Sequence, residues 1–85
     1  LEAAVNWMYD NDADLEVPFN KTLGGLLSHP SFRQVVGPVV YTKAEAIRKI
    51  GNKADHQVNK VREQDGIMAL EELHYFLQYF ARNYS

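Results

Sequence analysis

Three side chains able to handle a phosphate or a proton fall on one row of the sequence. Arg48, Asn52 and His56 are spaced four residues apart. On an α-helix that spacing makes a row drifting about 40° per step. Measured from the centre of the apolar stripe that the segment also carries, Arg48 stands near 80°, Asn52 near 120° and His56 near 160°, all about, by the same geometry. Arg48 therefore borders the core, and His56 either points away from it or turns back where the helix stops near Asp55. A guanidinium, an amide and an imidazole within reach of one another can bind a phosphate or support acid–base chemistry on RNA. The other reading is structural: a polar row that ties the helix end to a neighbour, with Asn52 and His56 bonded to backbone groups. Lys49 and Lys53 flank the row and complete a set of five candidate binding residues: Arg48, Lys49, Asn52, Lys53 and His56. No catalytic residue and no metal-ligand set is assigned.

The remaining candidates are weaker. His29 precedes Pro30 and reads as a helix C-terminal residue favoured by the helix dipole. His74 sits between Leu70 and Leu77 at helical spacing and reads as a histidine bordering the core. The three histidines are scattered and do not have zinc-ligand spacing. Asp10, Asp12, Asp14 and Glu16 alternate like a calcium loop but lack its glycine and closing glutamate. Gly24-Gly25 follows no strand, which argues against a phosphate-cradling loop and for close approach to a neighbouring helix. There is no cysteine, hence neither a disulfide nor a thiolate metal site.

Four helical segments must position these groups. The first spans Leu1–Asp12, with Leu1, Ala4, Val5, Met8 and Tyr9 on one face and Trp7 beside it. It ends in Asp10-Asn11-Asp12, whose short polar side chains favour turns. After a loop restricted by Pro18, Asn20 is a fair N-cap for a short helix over Lys21–Ser28, with Leu23, Leu26 and Leu27 inward. His29-Pro30 breaks it. A helical turn from Pro30 or Ser31 carries Phe32, Val35 and Val36, and Gly37-Pro38 breaks the chain again. The helix from Val39 to about Asp55 has the stripe Val40, Ala44, Ile47, Ile50, Gly51 and Ala54. Thr42-Lys-Ala-Glu45 also fits a capping box, which would start that helix near Lys43. Gln57–Glu63 is a polar connection. The last helix, Gln64–Ser85, is the most apolar, with Ile67, Met68, Leu70, Leu73, Phe76, Leu77, Phe80 and Ala81 as a broad inward face. A face that wide predicts a central helix touching at least two others.

These elements predict an all-α fold: a small antiparallel helical bundle of three long helices plus one or two short ones. The chain has 85 residues, enough for one domain and for a modest core. It starts in mid-pattern without methionine, which reads as a fragment of a larger protein. No window approaches 18 apolar residues, and a cytoplasmic location without membrane contact is expected. The net charge of −2 hides an asymmetry. Residues 1–20 hold five acids and no base, residues 21–62 hold eight bases against Glu45 and Asp55, and residues 63–85 hold four acids and Arg82. A basic centre can attract nucleic acid. Alternatively, the basic and acidic helices pair with each other in the fold.

Arg48-Lys-Ile-Gly-Asn-Lys-Ala-Asp-His56 resembles the Arg-x-x-Gly-Asn-x-Ala-x-His signature of a small helical domain. That domain occurs near the N-terminus of the R (HsdR) subunits of type I restriction–modification enzymes and in other defence proteins. Leu1-Glu-Ala-Ala-Val-Asn-Trp-Met-Tyr9 is similar to its first helix, Thr22-Leu-Gly-Gly-Leu-Leu27 to its second and Leu73–Tyr84 to its last. Where the family has a small apolar residue before the histidine, this chain has Asp55. The resemblance implies a parent protein with a nuclease domain and a DNA translocase motor that uses ATP and Mg. It implies as partners the other subunits of a restriction–modification complex, and DNA. Neither a nuclease carboxylate–lysine motif nor a phosphate loop lies in these residues, so no cofactor is expected in the chain itself. The domain also resembles the HEPN class of helical proteins, some of them ribonucleases. Their pattern places an arginine five residues before the histidine, usually followed by asparagine. Asn52 and His56 match it, but Gly51 occupies the arginine position. Three functions are thus in competition: a non-catalytic accessory or docking module of a restriction R subunit, a HEPN-type ribonuclease, and a DNA-binding module acting through the basic centre.

Overall fold

The computed structural model describes residues 1–56 and 63–84, of which residues 54–56 are described by backbone alone. The described residues form four helices and no strand: α1 (Glu2–Asn11), α2 (Leu23–Ser28), α3 (Pro30–His56) and α4 (Glu63–Tyr84). The all-α class stands, as a small helical bundle.

The end of α1 and the starts of α2 and α3 fall where local chemistry sets them. Past α1, the Asp12 N–H donates to Met8 O at 2.8 Å, and Asp12 Oδ1 accepts from Asp14 N at 2.9 Å. The short polar side chain so takes up a backbone donor of the turn. The cap of α2 is Thr22 rather than Asn20. Thr22 Oγ1 accepts from Gly25 N at 3.2 Å, while Asn20 Oδ1 accepts from Thr22 N and Thr22 Oγ1 at 3.1 and 2.8 Å. Asn20 braces the cap from two residues upstream. At the α2–α3 junction His29 does more than end a helix. Its Nδ1 accepts from Ser31 N at 3.1 Å and lies 2.8 Å from Ser31 Oγ, so it caps the start of α3, where Pro30 is preset for the first turn.

The predicted break at Gly37-Pro38 is a kink inside α3. Gly37 has φ 85° and ψ 168°, the only positive φ among the described residues. This backbone is open to glycine and strained for other residues. Pro38 then starts the second limb, and the Arg33 guanidinium lies 5.0 Å from the centre of the Tyr41 ring, bridging the two limbs. Thr42 heads no capping box: its Oγ1 donates to Pro38 O at 2.8 Å inside the limb, and Glu45 turns to Arg48 instead.

The core is Val5, Met8 and Tyr9 of α1, Leu15 of the loop that follows, Leu26 and Leu27 of α2, Phe32, Val36, Val40 and Ala44 of α3, and Phe76 of α4. Burial of these side chains is the main stabilising term. Its centre is therefore α3, not the last helix. Of the eight apolar residues expected to face inward on α4, only Phe76 is fully buried, with Leu73 and Phe80 half-buried. Ile67 stands about 180° from Phe76 around the helix, and Leu70 and Leu77 stand about 100–120° from it. All three are exposed, Leu70 by 69%. His74 lies on that exposed side as well, not at the core border. The predicted connection over Gln57–Glu63 lies outside the described residues except for Glu63, which opens α4.

Gly51 also departs from expectation. A Cβ added there meets no atom of the described residues within 4 Å, so among them Gly51 makes no close helix–helix contact. The close approach belongs to Gly25: a Cβ there would run into the Asn20 carbonyl and stand 2.8 Å from Asn20 Cγ.

Candidate functional site

The second limb of α3 carries Ile47, Arg48, Gly51 and Asn52 on the face turned to the start of α2. Together with Leu1, Glu2, Thr22, Leu23 and Gly24 they line a cleft of about 480 Å³. The braced Thr22 cap fixes one wall. On that wall Gly24 faces Arg48, whose Cδ and Nη1 would lie 3.8 Å from an added Cβ, an ordinary contact distance. The opposite wall is one helical turn of α3.

Two of the five candidate binding residues meet in this cleft, Arg48 and Asn52. Arg48 is committed to a neighbour. Its Nε and Nη2 donate to Glu45 Oε1 and Oε2 at 3.2 and 3.0 Å, a two-pronged pair one turn apart. The hydrogen bonds to Glu45 raise the Arg48 pKa above its ordinary value, and its side chain is 24% exposed. Asn52 is exposed and makes no hydrogen bond among the described residues.

The other three do not join them. Lys49 is exposed and lies outside the cleft. Lys53 reaches across to α4, its Nζ 3.1 Å from Asp65 Oδ2. The His56 side chain lies outside the described residues, although its backbone remains helical rather than turning back.

Two bases of the basic centre pair with acids of another helix. Lys43 binds Glu72 at 2.9 Å and Lys53 binds Asp65, both from α3 to α4, and Lys43 Nζ also sits 4.6 Å from the centre of the Tyr75 ring. Half-exposed pairs of this kind add little stability, about 0–1 kcal/mol each. Their effect here is to set a carboxylate against each of these two cations. Glu45 was the partner that the row of four-residue spacings passed over; its position three before Arg48 on a helix is the signal that finds it.

A second opening, of about 410 Å³, lies between α3 and α4 over Pro38, Val39, Ala46 and the Lys43–Glu72 pair. Among the described residues, no group of three or more metal-ligating side chains comes together, and no helix is long and apolar enough to cross a membrane. Comparisons with family models, with curated proteins and with solved structures yield no match to this chain.

Proposed function

We propose that this chain is a non-catalytic docking module of a larger protein, of the type I restriction R-subunit kind that its Arg48–His56 segment resembles. The observation that carries the reading is α4. Ile67, Met68, Leu70, Tyr75 and Leu77 are each 44% exposed or more along one helix. Exposed apolar residues gathered on one element mark a surface for another protein. The partners are the specificity and methylation subunits of a restriction–modification complex, while ATP and Mg serve the motor of the parent enzyme.

The competing readings have less behind them. Nucleic acid binding needs cations free to meet phosphates, and Lys43, Arg48 and Lys53 are each held by a carboxylate. A HEPN-type ribonuclease needs an arginine where Gly51 stands, and Arg48, one turn earlier, is paired to Glu45.

The test is co-elution of the chain with a specificity–methylation complex. Leu70→Asp and Leu77→Asp should abolish co-elution while leaving the thermal melt unchanged. Binding by both variants equal to wild type overturns the proposal. So does RNA cleavage that disappears in His56→Ala, or a low-salt duplex shift that disappears in Lys49→Glu/Lys53→Glu.

A further inference from the structure

The cleft between α2 and α3 contains an amide that the fold does not use. The Asn52 side chain has no hydrogen-bond partner among the described residues and stands at the cleft wall. Gly51 precedes it with no neighbour among the described residues within 4 Å of an added Cβ, which leaves the helix backbone open to close approach from their side. Gly24 lines the facing wall, where an added Cβ would meet Arg48 at 3.8 Å, and Leu23 and Ile47 supply apolar surface. At about 480 Å³ the opening is in the range of small-ligand clefts, about 300–1,000 Å³.

The electrostatics select the occupant. Among the described residues the charges at the cleft balance: Arg48 is neutralised by Glu45, and the Leu1 amino group stands at the same rim as the Glu2 carboxylate. A phosphate would have to displace Glu45 from a two-pronged pair and stand against Glu2. A ligand that fits is uncharged, offers a donor and an acceptor side by side, and carries apolar branches. The main chain of an extended peptide has all three properties. A side-chain amide pairs with one residue of an extended chain through two bonds, Nδ2 donating to that residue's carbonyl and Oδ1 accepting from its N–H, which point to the same side. We infer that this cleft binds an uncharged, extended peptide segment, held through Asn52 over the open backbone at Gly51. The site shares no residue with the exposed face of α4, so failure of either test leaves the other reading standing.

The experiment is an amide NMR titration of the full 85-residue chain with a capped peptide, acetyl-Ala-Leu-Ala-Leu-amide. Inorganic phosphate and uridine monophosphate are titrated in parallel. The peptide should shift the backbone amides of Gly24 and Gly51 and the side-chain amide of Asn52. Asn52→Leu, an exposed substitution of similar size, should weaken the peptide about tenfold through loss of both bonds, with an unchanged thermal melt. Gly51→Ile should weaken it by filling the approach. The inference falls if millimolar peptide leaves these signals unmoved, if Asn52→Leu binds as well as wild type, or if phosphate or the nucleotide moves them and the peptide does not.

Discussion

The Tyr84 hydroxyl donates to Asp12 Oδ2 at 2.5 Å, tying the last residue of α4 to the turn that ends α1, 72 residues earlier in the chain. Around this bond Trp7 sits edge-on to Phe80 and Tyr84, with ring centres 5.5 and 5.7 Å apart, and Phe80 stacks on Tyr84 at 5.4 Å. The N- and C-terminal helices are thus joined by one charged hydrogen bond and an aromatic cluster. Tyr84→Phe keeps the rings and removes the bond. It should destabilise the fold by about 1 kcal/mol, read as a fall in Tm of roughly 4–8 °C for a domain of this size. An unchanged Tm would mean that the aromatic contacts alone hold the junction.

The same bond sets an alkaline limit. Burial first, and the hydrogen bond to Asp12 second, push the Tyr84 pKa well above its ordinary 10.0. Burial raises Tyr9 and Tyr79 as well. A raised folded-state pKa means that the unfolded chain gives up its proton first, so stability is complete below about pH 10 and falls as pH rises through that value. Urea midpoints measured between pH 8 and 11, both about the unfolded tyrosine pKa, should decline above pH 10. In Tyr84→Phe the decline should be shallower by one group's share. Equal slopes in the two proteins would refute the assignment to Tyr84.

Three glycines predict three different outcomes for alanine. Gly25→Ala drives a Cβ into the Asn20 backbone and should destabilise by about 1–3 kcal/mol through overpacking. Gly37→Ala meets no neighbour within 4 Å but keeps a φ of 85°, so strain of about 1–3 kcal/mol is the penalty. Gly51→Ala meets no atom of the described residues within 4 Å and sits in a regular helix. It should stabilise by about 0.5–1 kcal/mol through helix propensity. Thermal melts of the three variants decide the signs. A loss of stability at Gly51 would restore it to a helix contact.

Much of the helical plan was legible in the sequence because its breaks are made by residues with strong local rules. Pro30 and Gly37-Pro38 act through φ, and the aspartates after α1 act through their own backbone, so distance in space does not matter. The site was half legible. Four-residue spacing correctly brought Arg48 and Asn52 to one side of α3. It could not show that Glu45 already holds Arg48, nor that the opposing wall is the Thr22–Gly24 segment, since both depend on how side chains and helices meet in space. The orientation of α4 was hidden for another reason. Its apolar residues nearly encircle it, so the 3.6-residue period selects no single inward face.

That ambiguity can be settled by two neighbouring residues on α4. Phe76 is fully buried in the core and packs beside Tyr79 at a ring distance of 6.3 Å, whereas Leu77, one position on, is 44% exposed. The hydrophobic penalty for truncation follows burial and the cavity left behind, not residue type. Phe76→Ala should remove about 3–5 kcal/mol, a large share of the roughly 5–15 kcal/mol that a domain commands. Leu77→Ala should stay within about 0.5 kcal/mol of wild type. Urea unfolding of both variants tests the rotation of the helix directly. Comparable losses at the two positions would mean that α4 presents a wider face to the core than the Phe76 side alone, and would remove Leu77 from the proposed docking surface.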